Sequence, residues 1–162
     1  MKIHAYERAF LRLGAAMLVA FLGALGYSAF AMGVRLPSRA GEIDPKLVRE
    51  TPPFDHPGLR RTGPDTYEVV LLAQAWSFNP REIEIPAGAT VTFRATSADV
   101  VHGLSIEGTR VNAMLLPGQI TVVTHRFDEP GEHLLICHEY CGLLHHTMGG
   151  IIRVTAAGRG GE

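Results

Sequence analysis

The sequence lacks an excess of either charge: 15 Lys+Arg stand against 16 Asp+Glu, a formal net charge of −1. Without a basic surplus to displace counterions from phosphates, nucleic acid is not an expected partner. Cysteine is nearly absent, two in 162 residues, too few for a mini-fold built on disulfides. Aromatics supply 7% and charged residues 19% against 46% hydrophobic residues, a balance foreign both to disordered chains and to coiled coils. Also missing are internal repeats, low-complexity tracts, a phosphate-cradling loop, paired carboxylates and a Ser/His/Asp set. Hydrolysis and group transfer therefore have no residues to carry them. The length predicts one domain, and 18 glycines and 10 prolines predict many turns.

The longest apolar feature is the 22-residue run from Leu13 to Val34, which carries no charge. As a helix it spans about 33 Å at roughly 1.5 Å per residue, enough for a hydrocarbon core of about 30 Å. It reads as a transmembrane helix over 13–34, preceded by a cytoplasmic N-terminus, 1–12. The competing reading is a signal peptide, with Lys2, Arg8 and Arg12 as its basic region and Ala29-Phe30-Ala31 as a cleavage-like site. The run exceeds the roughly 7–15 residues of an ordinary signal core. Either reading exports the remainder, and the basic residues before the span favour a cytoplasmic N-terminus with the rest on the outer side of the cytoplasmic membrane.

Between Arg35 and Pro64 lie six of the ten prolines, which predicts a stalk over 35–65 without helix or central strand, because proline lacks the amide donor both require. One short helical turn is expected within it, from Asp44 to Glu50, with Asp44 as cap and Pro45 at the first position. After Pro64 come short β-type runs: TYEVVLLAQAW, REIEI, TVTFRAT, VVHGLSI, ITVVTHRF, EHLLICH and GGIIRVT. Val91, Phe93 and Ala95 alternate with Thr92, Arg94 and Thr96, the period of a strand buried on one face. Seven strands with no amphipathic helix between them predict an all-β domain over 66–162, an antiparallel sandwich.

Chemistry concentrates in Cys137-His138-Glu139-Tyr140-Cys141-Gly142-Leu143-Leu144-His145-His146-Thr147-Met148, the loop joining the last two expected strands. Two thiols, an imidazole and a thioether form a soft donor set suited to copper rather than to magnesium or calcium. A further strong donor must come from elsewhere, and His102 is the best placed, opening a strand after the Ser97-Ala98-Asp99 turn. The residues alone leave alternatives open. A Cys-x-x-x-Cys pair in an exported chain also suits a disulfide, and Cys137, Cys141, His145 and His102 suit tetrahedral zinc, although zinc has no use for Met148. A mononuclear blue copper site needs only one cysteine, and an iron–sulfur centre with two His ligands would show paired Cys-x-His motifs.

The pattern H…C-x-x-x-C-x-x-x-H-x-x-M on a β-sandwich behind a membrane helix resembles subunit II of haem-copper cytochrome c oxidases, which carries the binuclear copper centre called CuA. The likeness extends to the VVHG, LPGQ, PGEH and CGLLH stretches, and the single helix looks like the B-type group. Glu139 stands where that group has Gln and agrees instead with the mitochondrial-like pattern. The resemblance implies a cupredoxin-like Greek-key sandwich. It also implies two copper ions bridged by Cys137 and Cys141, each capped by one of His102 and His145, with Met148 sulfur and the Glu139 carbonyl as weak axial ligands. A magnesium ion near Glu139 is a further implication, at the junction with the larger subunit. The implied function is to accept single electrons from a cytochrome c and pass them to subunit I, which reduces oxygen, with no bond chemistry in this chain.

Trp76, the sole tryptophan, has two readings: core packing, or the aromatic through which electrons reach copper, whose place it matches in the family. Leu143 and Leu144 either pack beneath the metal or form an exposed docking patch for cytochrome c. His138 and His146 neighbour ligands out of register with the motif and read as surface or supporting residues. Met114 and the other methionines read as core or membrane filler. The rival from another class is a membrane-tethered copper-delivery or thiol redox-sensing protein. Thioredoxin-type carriers, however, need βαβ segments, and no crossover helix is read here.

Overall fold

In a computed structural model the described residues are 4–31 and 38–156, and the chain divides into an N-terminal helical unit and a β-unit beginning at Pro37. Helix α1 runs Ala5–Phe30, beginning eight residues before the apolar stretch. Its first turn holds Glu7, whose carboxylate accepts the His4 amide at 3.3 Å, and Arg8 and Arg12 are good helix formers, so the helix extends through the basic flank. None of its side chains is buried within the chain, and it is long and apolar enough to cross a membrane. The expected end of the span at 32–34 lies outside the described residues.

The β-unit is two sheets face to face. The strands are β1 (Ser38–Glu42), β2 (Gly58–Arg61), β3 (Thr66–Gln74), β4 (Ser77–Asn79), β5 (Glu82–Pro86), β6 (Ala89–Ser97), β7 (His102–Ile106), β8 (Asn112–Leu115), β9 (Gln119–Phe127), β10 (Gly131–Ile136) and β11 (Gly149–Thr155). One sheet is ordered β1-β9-β6-β3-β2 with β4 on β3, the other β5-β11-β10-β7-β8. Two pairings depart from the all-antiparallel expectation: β3 with β6 and β5 with β11 run parallel, so the sheets are mixed. Parallel neighbours need a connection that crosses between layers rather than a tight hairpin. Here β4 and β5 separate β3 from β6, and five strands separate β5 from β11.

The alternating residues of β6, Val91, Phe93 and Ala95, meet Leu71, Ile85, Leu104, Leu135 and Ile152 in the space between the sheets, all essentially fully buried. The Gly118 turn requires a positive φ of +84°, which a side chain would resist.

The expectation of a free Pro-rich stalk is corrected over the described part of 35–65. β1 pairs with β9 and β2 with β3 at opposite edges of one sheet. Between them Ile43, Val48 and Phe54 pack onto Val70 and Leu72 as a second buried cluster. β3 is therefore apolar on both faces, which is why Val69-Val70-Leu71-Leu72 is a continuous run rather than an alternation. Prolines are tolerated because this segment is a strap over the sheet, contributing only edge strands. The expected turn does form: residues 45–50 are turn and 3₁₀ helix, and the Asp44 carboxylate accepts the Lys46 amide at 2.9 Å.

Candidate metal centre

β7, β10 and β11 all end or begin at one edge of the sandwich, and the loop 137–148 is suspended between the latter two. Its base is closed where the Cys137 amide donates to the Met148 carbonyl at 3.2 Å. Its C-terminal part winds into a 3₁₀ turn, His145–Thr147, in which the His145 amide reaches Gly142 and the Met148 amide reaches His145, both at 3.1 Å. This winding turns His145 and Met148 toward the same side as Cys141.

The result is a compact cluster of donors, in which the ligand atoms of His102, Cys137 and Cys141 all lie within 4.8 Å of one another. His102 Nδ1 lies 3.9 Å from Cys137 Sγ, Cys137 Sγ lies 3.8 Å from Cys141 Sγ, and Cys141 Sγ lies 3.5 Å from His145 Nδ1. Met148 Sδ joins at 3.6 Å from Cys141 Sγ, and the Glu139 carbonyl at 3.3 Å from Cys137 Sγ. All six residues expected at the centre come together. His102 is completely buried, and Cys137, Cys141 and Met148 are nearly so; His145 alone of the side-chain donors is half-buried. Both cysteines are free thiols in this structure. The Cys141 thiol is pushed up to about 11, first by burial and then by the hydrogen bond and charge of Cys137.

Asp99 is the functional residue that sequence reasoning missed. Its carboxylate lies 2.9 Å from His102 Nε2 and accepts the Ala75 and Val100 amides, each at 2.7 Å. Burial alone would raise its pKa, but these amides and the His102 ring outweigh that and hold it below the ordinary carboxylate value. Bonding at Nε2 leaves Nδ1 as the nitrogen facing the sulfurs, the usual device by which a carboxylate orients a ligating imidazole. The signal in the sequence was an acidic residue three positions before the histidine, in a segment read only as a turn.

Trp76 sits in the turn between β3 and β4, half-buried, and its indole N–H donates to the Cys141 carbonyl at 3.2 Å. Leu143 is 80% exposed and Leu144 42%, so neither packs beneath the cluster; with Tyr140, 76% exposed, they form an apolar rim. His146 is exposed, and His138 lies on the outer side of the sheet against Gly103. Among the described residues the group of potential metal ligands is His102, Cys137 and Cys141, and no such group forms around the Glu139 carboxylate, so the magnesium ion implied there has no support.

The donor set fits copper. Two adjacent sulfurs flanked by two imidazoles suit shared thiolate ligation, and a buried thioether turned inward has no role at zinc. A mixed β-sandwich with a soft-donor cluster at one end, behind a helix long and apolar enough to cross a membrane, defines a cupredoxin-like protein with one candidate membrane span. Comparison with known proteins narrows this. Residues 76–155 match the family described as cytochrome C oxidase subunit II, periplasmic domain. Cytochrome c oxidase subunit 2 of Thermus thermophilus is 40% identical over 156 residues, covering 94% of this chain and 93% of its relative. A heme-copper terminal oxidase dimer solved by cryo-EM contains a chain 33% identical, with a TM-score of 0.78 over 93% of this chain and 99% of that one. The fold also matches the periplasmic domain of cytochrome oxidase subunit II from Bradyrhizobium japonicum, 20% identical, with a TM-score of 0.51 over 55% of this chain and 83% of that one. The chain belongs to the cytochrome c oxidase subunit II family, the electron-transferring subunit of haem-copper oxidases.

Proposed function

We propose that the cluster is a binuclear CuA centre in which Cys137 and Cys141 are shared by two coppers, His102 and His145 cap one each, and Met148 and the Glu139 carbonyl bind weakly. The observation that carries this is the order of the donors, imidazole, sulfur, sulfur, imidazole, with successive atoms 3.5–3.9 Å apart. Two coppers sharing two thiolates would supply a one-electron couple with charge spread over both metals. The chain's own residues do the rest. Asp99 fixes the His102 ring, burial excludes water from the sulfurs, and the Cys137–Met148 backbone bond holds the loop closed. Thiols must lose their protons to serve as ligands, so loading releases protons and stabilises the fold.

The donor is a cytochrome c, seated on the rim of Leu143, Leu144 and Tyr140. The exposure of these three supports apolar docking. Trp76 is the aromatic through which the electron passes, one hydrogen bond from the Cys141 backbone. The acceptor is the haem-copper subunit I, where oxygen is reduced; this chain makes and breaks no bonds. Lys2, Arg8 and Arg12 before the span favour a cytoplasmic N-terminus and a copper domain on the outer side. The reading is tested by mixing the copper-loaded chain with reduced cytochrome c. Oxidation of the cytochrome together with bleaching of the copper absorption supports it; a cytochrome that stays reduced contradicts it.

A further inference from the structure

His102 opens β7 and Cys137 follows the end of β10, and the ladder between these strands stops before it reaches either residue. β7 and β10 pair antiparallel at Leu135 with Ile106 and Ile136 with Ser105, and no pairing follows. Continued by two residues, the same register sets His138 opposite Gly103, the immediate neighbours of Cys137 and His102. No β7–β10 backbone pairing therefore spans these two ligands directly; Cys137 is bonded to Met148 on one side and His102 is paired with Leu115 on the other. A side-chain contact lies at this position. A Cβ on Gly103 would lie 2.7 Å from Cγ, Nδ1 and Cε1 of His138, and equal distances to three ring atoms place that point over the centre of the ring. The imidazole face covers the side of Gly103 on which a side chain would stand, and the glycine is buried.

A second glycine follows a ligand across the site. Gly142 follows Cys141, and a Cβ there would lie 3.1 Å from the Trp76 indole nitrogen. There the approach is to the indole edge, since Cε2 is farther from that point than either Nε1 or Cζ2, so of the two only Gly103 lies under a ring face. His138, read from the sequence as a surface or supporting residue, lies against Gly103.

We propose that His138 is a positioning residue: its ring, seated on Gly103, clamps the Cys137 and His102 backbones beyond the end of the ladder and sets their spacing before metal arrives. The ring acts by its flat shape, not by its nitrogens. The inference rests on the copper reading above for its metal-bound test, but the clamp itself is observable without metal.

The test uses the full chain in detergent. In the metal-free protein the Gly103 α-protons carry a ring-current shift that disappears in His138→Ala; its absence from the unsubstituted chain overturns the clamp whether or not copper binds. In the copper-loaded protein, loss of copper to a chelator is followed for His138→Ala, His138→Phe and Gly103→Ala. His138→Ala and Gly103→Ala are expected to lose copper about 10-fold faster, the lower end of the effect of removing groups that support a ligand. His138→Phe, which keeps a flat ring without nitrogens, stays within about 2-fold of the unsubstituted chain. Because His138 is exposed, its variants leave the core intact, and thermal melting checks this. Unchanged retention in His138→Ala overturns the proposal, as does His138→Phe losing copper as fast as His138→Ala. An unsubstituted chain that takes up no copper while keeping the ring-current shift refutes the copper reading alone.

Discussion

Asp99 and His102 are joined through one oxygen and Nε2 at 2.9 Å, with the ring fully buried and its other nitrogen aimed at Cys137. Asp99→Asn keeps the size and one acceptor but removes the charge and leaves the rotamer ambiguous. Copper affinity is expected to fall about 10- to 100-fold, measured by competition with a chelator. Affinity within 2-fold of the unsubstituted protein would mean that packing alone orients the ring.

The strap over β3 makes a second prediction. Phe54 is 1% exposed in the cluster with Val48, Val70 and Leu72, so Phe54→Ala is expected to cost about 3–5 kcal/mol of stability, read from denaturant unfolding. A segment serving only as a spacer would tolerate the change with no measurable loss.

The two sulfur ligand types separate in a third experiment. Cys141→Ser removes a shared ligand and is expected to abolish the binuclear centre. Met148→Leu is expected to retain both metals and raise the potential, since a weak donor that favours the oxidised metal is gone. Metal analysis and redox titration distinguish the two variants, and equal loss of copper from both contradicts the axial role.

Stability also depends on pH away from the metal. His125 packs edge-on to Phe127 at 4.8 Å between ring centroids, and burial, then repulsion from His133 and Arg110, holds its pKa below the ordinary 6.5 against the pull of Asp128. A depressed histidine favours the neutral ring in the fold. Its contribution is therefore present above about pH 6.5 and is lost as pH falls through the lower, folded value. Melting temperatures of the metal-free chain should decline more steeply below pH 6.5 than those of His125→Gln. Parallel curves for the two would contradict this.

The sequence carried the site further than the fold around it. Five of the expected donors are side chains, legible because ligand chemistry restricts residue type and because four of them, Cys137 to Met148, fall in one short loop; the Glu139 carbonyl was implied only by the family resemblance. Asp99 was not legible, because a carboxylate that supports a histidine has no fixed spacing and looks like any turn residue. The seven predicted strands are all present, since alternation such as that of Val91, Phe93 and Ala95 reports a half-buried face. The strap was missed because six prolines argue locally against strands, whereas Ile43, Val48 and Phe54 are spaced for no regular period and are buried by a sheet distant in sequence. The unbroken Val69–Leu72 run was the one trace of it. The parallel pairings had no local signature, because strand direction is set by connections between layers.

The count of copper in the full-length chain, together with the magnetic resonance spectrum of the half-reduced protein, tests the central claim most directly. Two coppers per chain and one unpaired electron shared equally between them are predicted. One copper with a signal localised on a single metal would contradict the account.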